Sequence, residues 1–130
     1  MLMNAVSAKK KLRNHLRRRS KEEFPLSENI AAYWWTVLNR AVFKGKLTPA
    51  SFKIKKMSDC EGRCEALDHF GPGVLIKIDR CSAYSRQQLI EILAHEMVHQ
   101  WQWENYRQMN HKQSFVFWKK RLFREFAIRI

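Results

Sequence analysis

Three histidines in the C-terminal half of the chain limit how that half can fold. His95 and His99 stand four residues apart, and His111 follows twelve residues after His99. On an α-helix, residues four apart share one face, so two imidazoles can bind the same metal ion. Glu96 stands beside the first histidine, where its carboxylate can take a proton from a nearby water. This H-E-x-x-H pattern predicts a helix that carries a hydrolytic zinc centre.

The residues before this motif support a helix. Ser85 can act as the N-cap, Gln88 follows three residues later, and neither Gly nor Pro interrupts the segment 85–99. The competing interpretation is a core helix whose two histidines do not bind a metal ion. The apolar residues at helical spacing that predict a buried side are Leu89, Ile92, Leu93 and Met97 or Val98.

A catalytic zinc site has three protein ligands and one open position, so a third ligand must come from outside the motif. Glu104 lies nine residues after His95, which places it on the opposite face of a continuous helix and excludes it. Glu125 is the only acidic residue after Glu104 and can complete a His-His-Glu site. His111 is the nearer candidate, although it can also be a surface-loop residue.

For His111 to reach the metal, the chain must turn back on itself. A continuous helix would carry it about 18 Å beyond His99. Asn105 and Asn110 are the predicted breaking points, because asparagine competes with helical backbone bonds and tolerates the left-handed conformation. A second helix starting near His111 would then pack an apolar stripe on the core. The stripe consists of Phe115, Trp118, Leu122 and Phe126.

These features resemble the SprT-like (Spartan-type) metalloprotease family. The segment 95–99 followed by 111–115 is similar to that family's H-E-x-x-H pattern with a later His and Phe. Residues 38–47, which read LNRAVFKGKL, are similar to its Leu-Asn…Phe-x-Gly-x-Leu segment, and residues 62–64 to its first glycine-containing strand. The resemblance covers roughly residues 28–123.

One departure qualifies the match. Lys112 stands where members of the family often carry Gly after the third histidine. The metzincin pattern H-E-x-x-H-x-x-G-x-x-H is excluded, because Gln102 and Asn105 occupy its Gly and third His.

The resemblance implies a zinc endopeptidase with one Zn²⁺ per chain, bound by His95, His99 and His111, and with Glu96 as the general base. It also implies protein substrates that are located at DNA or crosslinked to it. The candidates for an additional donor to the reacting carbonyl oxygen are Tyr84, Tyr106 and Arg107.

The order of predicted elements indicates one α+β domain, a minimal zincin-like (SprT-like) fold, over residues 22–130. Ser27 caps a helix from Glu28 to about Phe43, and Gly45 ends it. Three short strands follow, then the metal helix and the C-terminal helix. The predicted strands lie around residues 52–54, at 62–67 and at 74–78. In this fold an edge strand can pair with an extended substrate, and Val74–Ile78 is the predicted strand.

Residues 1–21 form a predicted basic arm that contains eight of the 25 basic residues and no acidic residue. Such a cluster favours binding to a polyanion, and DNA and RNA are the commonest polyanions inside cells. Ser7 is the predicted N-cap of a helix whose apolar stripe is Ala8, Leu12 and Leu16. A solvated tail and a mitochondrial presequence are alternatives. The candidate nucleic-acid contacts are Lys9, Lys10, Lys11, Arg13, Arg17, Arg18, Arg19 and Lys21.

A second basic cluster near the C-terminus is interpreted as a solvated helix face. It consists of Lys119, Lys120, Arg121 and Arg124.

Three cysteines, Cys60, Cys64 and Cys81, are an odd number, and with no secretion signal or transmembrane run they indicate a reducing compartment. We therefore expect an intracellular location, cytoplasmic or nucleoid-associated, with no membrane partner. The three cysteines and His69 could form a second, structural zinc site, but the sequence favours buried thiols that bind no metal.

Two other functions stay open at this point. One is a nucleic-acid-binding accessory protein that keeps zinc as a scaffold and hydrolyses little. The other is a processing protease for one dedicated partner.

Overall fold

The computed structural model describes residues 4–17 and 24–130, with backbone alone at 13–17. Within these residues, four helices and one three-stranded sheet form the predicted α+β arrangement, which is thereby confirmed. The elements are α1 (Ala5–Arg17), α2 (Glu28–Val42), β1 (Ser51–Lys55), β2 (Gly62–Ala66), β3 (Val74–Asp79), α3 (Arg86–Tyr106) and α4 (Gln113–Phe126). No helix in these described parts is long and apolar enough to span a bilayer.

Helix α2 begins and ends as predicted. The Ser27 hydroxyl accepts a hydrogen bond from the Ile30 N–H at 3.1 Å. Gly45, at φ 74°, donates its N–H to the Asn39 carbonyl at the end of the helix. The Asn39 amide bonds both the N–H and the carbonyl of Leu47. The segment 38–47 is therefore the end of α2 and a following turn, which one buried asparagine holds together.

The sheet has the order β1-β3-β2, with β1 parallel and β2 antiparallel to β3. The prediction that Val74–Ile78 is an edge strand is therefore wrong. This strand is rich in apolar residues, and Val74, Ile76 and Ile78 are fully buried. Such a strand is suited to the centre of a sheet, where neighbouring strands cover both of its edges. The strand that lies at the edge beside α3 is β2.

Helix α3 runs through the middle of the molecule. Its N-cap is Ser85, as predicted, and its hydroxyl accepts from the Gln88 N–H at 3.2 Å. Contacts with α2, α4, β2 and β3 bury it on several sides, more than the single apolar side that the sequence predicts. The metal motif thus lies on a helix that packs against both the sheet and other helices.

The outer helices complete the core. All four residues of the predicted α4 stripe are buried. In α1, Ala8 and Leu12 are fully buried against α2 and α3, so this helix packs on the domain. Its cap is Asn4 and not the predicted Ser7, because the Asn4 side chain accepts the Ser7 N–H at 2.8 Å. The Leu16 side chain lies outside the described part.

Candidate metal centre

The imidazoles of His95, His99 and His111 converge on one point, and we call these residues the metal centre. The Nε2 atom of His111 lies 3.2 Å from that of His99 and 3.3 Å from that of His95. Zinc–nitrogen bonds of about 2.0–2.1 Å at tetrahedral angles imply nitrogen separations of about 3.3 Å. Each of the three side chains offers one nitrogen, all within 4.8 Å of one another, so they can hold one metal ion, and three imidazoles suit zinc, copper, iron or nickel.

Burial favours the neutral form of two of these imidazoles, His95 and His99. It lowers the pKa of His95 to about 4, helped by the nearby positive charges that His99 and His111 can carry. Burial also lowers the pKa of His99. Neutral imidazoles retain the lone pairs that a metal ion needs.

Phe115 forms an apolar wall behind all three rings. Its ring centroid lies 4.8 Å from that of His95, 5.1 Å from that of His99 and 4.6 Å from that of His111. Its position in the first turn of α4 explains this contact, because that turn follows directly on His111. The predicted stripe therefore supports the metal centre as well as the core.

The turn that brings His111 back begins at Arg107 and not at Asn105. Arg107 ends α3 in the left-handed conformation at φ 55°, while the Asn105 side chain donates to the Trp101 carbonyl within the helix. The Asn110 side chain accepts the Lys112 N–H at 3.0 Å, so this predicted breaking point does shape the turn. Lys112 has φ −86°, which any residue can adopt, so the usual Gly is not needed here.

Neither glutamate alternative belongs to the metal centre. The Glu104 carboxylate accepts the Thr48 N–H at 2.8 Å. Glu125 pairs with Arg121 at 3.3 Å on the outside of α4.

Glu96 lies beside the metal centre without joining it. Its Oε1 is 4.0 Å from His95 Nε2, and its side chain is only 7% exposed. Burial raises the pKa of Glu96 to about 7, although the Cys64 N–H and Arg63 act in the opposite direction. A carboxyl group with this pKa can take up and release a proton at neutral pH.

A cleft of about 700 Å³ opens over Glu96 and His95. Gly62, at the start of β2, and Tyr84 also line it. Tyr84 is thus the one predicted oxyanion donor that lines this cleft; Tyr106 packs against Trp101, and Arg107 bonds the Phe70 and Trp103 carbonyls. The cleft thus exposes His95 and Glu96 to solvent on one side of the metal centre.

The sequence model of the SprT-like family matches residues 31–129. The chain belongs to the SprT-like family. The SprT-like match spans α2 to α4 and includes the whole metal centre. A comparison with curated proteins finds no match.

The structure describes part of the predicted basic arm. Lys9, Lys10 and Lys11 are exposed on α1, and Lys11 bonds the Tyr33 hydroxyl. Arg13 and Arg17 lie in α1 with only their backbone described. The remaining candidate contacts, Arg18, Arg19 and Lys21, lie outside the described residues.

The three cysteines are free thiols. Cys60 and Cys64 are half-buried, whereas Cys81 is exposed, so the prediction of a buried thiol is wrong for Cys81. The only potential metal cluster among the described residues is the metal centre, which gives the alternative cysteine site with His69 no support.

Sequence reasoning missed one polar residue at the metal centre. Gln102 is buried, and its Oε1 lies 2.9 Å from Nδ1 of His99. Its position three residues after His99 on the same helix is a signal that could have pointed to it.

Proposed function

We propose that this SprT-like chain is a zinc-dependent endopeptidase that cleaves proteins located at DNA or crosslinked to it. The observation that carries the proposal is a buried carboxyl group, Glu96, beside three converging imidazole nitrogens. Zinc, when bound, lowers the pKa of water and polarises a peptide carbonyl.

The chain's own residues supply the remaining chemistry. His95, His99 and His111 hold the ion. Glu96 accepts a proton from the attacking water and later passes it to the leaving amine. The apolar wall of Phe115 and the burial of His99 limit water around the ligands, which strengthens the electrostatic interactions there.

The substrate strand is β2 in this proposal. The order β1-β3-β2 leaves the outer edge of β2 without a strand partner among the described residues. Gly62 at its start lies close to both Ile92 and Glu96. An extended peptide that pairs with this edge is held by backbone hydrogen bonds, which are independent of side-chain sequence.

The basic arm supports an association with DNA or RNA. Lys9 and Lys10 project from α1 while its apolar side packs on the domain. Cations held on a packed helix contribute sequence-independent affinity that falls as salt rises. Selection of substrates by shared location on nucleic acid is consistent with a reducing intracellular compartment.

The accessory-protein alternative is less well supported because of Glu96. A buried carboxyl group whose pKa is raised by burial costs folding free energy, and a purely structural metal site has no use for it. A processing protease for one partner would share the whole site, so only the substrate separates it from the proposal.

The test is cleavage of a protein crosslinked to DNA, compared with the same protein free of DNA. We expect cleavage by the zinc-loaded wild type, faster on the crosslinked form, and none by Glu96→Gln. Glu96→Gln should still bind about one zinc per chain. His111→Ala should lose zinc, and Glu125→Gln, the matched control on α4, should keep both zinc and activity.

Cleavage by Glu96→Gln at the wild-type rate would contradict the enzyme proposal. Equal rates on free and crosslinked protein would contradict the DNA-directed part alone.

A further inference from the structure

Gln102 places a polar amide in the core of the molecule, with 1% of its surface exposed. Its Oε1 lies 2.9 Å from His99 Nδ1 and accepts the Asn110 N–H at 3.1 Å. Its Nε2 donates to the Asn110 carbonyl at 3.0 Å and to the Ser114 hydroxyl at 2.9 Å. Both ends of the amide are therefore satisfied by specific partners.

These partners fix which way the amide points. The Asn110 N–H can only donate and the Asn110 carbonyl can only accept, so Oε1 must face the N–H and Nε2 the carbonyl. Because Oε1 also faces His99 Nδ1, that nitrogen must carry the ring proton. The Nε2 of His99 is then left with a lone pair, directed at the metal centre.

The same amide also determines where the third imidazole lies. Asn110 directly precedes His111, and Ser114 stands in the first turn of α4, next to Phe115. Gln102 therefore joins α3 to the turn and to the start of α4. One side chain fixes the tautomer of one ligand and the backbone beside another.

We propose that Gln102 is the positioning residue of the metal centre, which presets His99 and His111 for metal binding before the ion arrives. This inference rests on the proposed function in one respect, because it takes zinc as the ion that the three histidines bind. Partners of this kind behind a ligand typically change metal affinity by about 10–100-fold.

Gln100 offers a matched control on the same helix. It is fully buried, accepts from Trp35 Nε1 at 3.0 Å and donates to the Thr48 carbonyl at 2.7 Å. These contacts hold α2 and the turn before β1, and none of them reaches the metal centre. Gln100→Leu and Gln102→Leu therefore remove equivalent buried amides and differ in what the amide supports.

The experiment measures zinc affinity of the metal-free protein by competition with a chromophoric chelator. Gln102→Leu should bind zinc about 10–100-fold more weakly than wild type. Gln100→Leu should stay within about twofold. Gln102→Glu keeps an acceptor for His99 Nδ1 and for the Asn110 N–H, so it should bind more tightly than Gln102→Leu.

A second measurement needs no variant. Nitrogen-15 NMR of the metal-free wild type at neutral pH should show the proton of His99 on Nδ1. A proton on Nε2 would overturn the inference, as would wild-type zinc affinity in Gln102→Leu or an equal loss in Gln100→Leu. Failure of the wild type itself to bind zinc would instead overturn the proposed function.

Discussion

At the scale of single residues, burial shifts the pKa values of Glu96 and His95 in opposite directions. It raises the pKa of the Glu96 carboxyl to about 7 and lowers that of the His95 imidazole to about 4. Both shifts favour the neutral form, because removing a charge from water costs free energy. The protein therefore holds an acid–base group and metal ligands ready at the same pH.

A pH dependence of stability follows for the metal-free protein. An unfolded chain protonates His95 as pH falls below 6.5, whereas the folded chain resists protonation until about pH 4. Stability should therefore fall between these values. His95→Gln should reduce the loss of unfolding free energy between pH 7 and pH 5 by about 2 kcal/mol, measured by urea unfolding with a chelator present. His69→Gln, on the exposed hairpin, is the control, and an equal reduction there would contradict the assignment.

Residues of the motif can be predicted from spacing alone, because four residues make one helical turn. Gln102 is harder to assign from sequence. Its partners Asn110 and Ser114 come from a later segment, and a predicted turn at Asn110 does not specify which side chain of α3 that segment contacts. Roles that depend on contacts across a turn need the structure.

At the scale of elements, the positions of the strands follow from alternating side chains, but their order does not. All three strands lie where the sequence predicts them. The order depends on which strand is buried on both sides, and β3 is the most apolar of the three. The end of α3 at Arg107 could not be predicted from the sequence either, because Gly and Asn, not Arg, are the residues that typically adopt the left-handed conformation at a helix end.

The close approach of β2 to α3 yields a prediction at Gly62. A Cβ atom there would lie 2.8 Å from Ile92 Cγ2 and 3.3 Å from the Glu96 side chain. Gly62→Ala should therefore lower the free energy of unfolding by about 1–3 kcal/mol, measured by denaturant titration. Gly73→Ala is the control, because its nearest neighbour is the flexible end of Leu67 at 3.2 Å. A loss no larger at Gly62 than at Gly73 would contradict the packing argument.

At the scale of the whole molecule, the net charge of +13 is concentrated at the N-terminus, and part of it lies on a helix packed against the domain. Composition predicts the charge but not the packing, because Ala8 and Leu12 alone give a weak apolar signal. Since their removal would expose the core, a deletion of the arm would confuse folding with binding.

Variants that neutralise charge test nucleic-acid binding without removing the buried residues Ala8 and Leu12. Lys9→Gln with Lys10→Gln should weaken binding to a DNA duplex and reduce the slope of log affinity against log salt by about 2. The control pair is Lys53→Gln with Lys55→Gln, two exposed residues of β1. Fluorescence anisotropy across a salt series measures both. An unchanged slope in the α1 pair would indicate that these lysines do not contact phosphate.

The convergence of His99 and His111 has a consequence for the lifetime of the protein. The two residues are twelve positions apart, and an ion between them closes a short loop of chain, as a covalent crosslink does. A disulfide across a loop of about 15 residues stabilises a protein by about 3 kcal/mol. Loss of the ion would remove this tether together with catalysis, because both depend on the same atoms. An inactive molecule would then be the one that unfolds more readily and is degraded first.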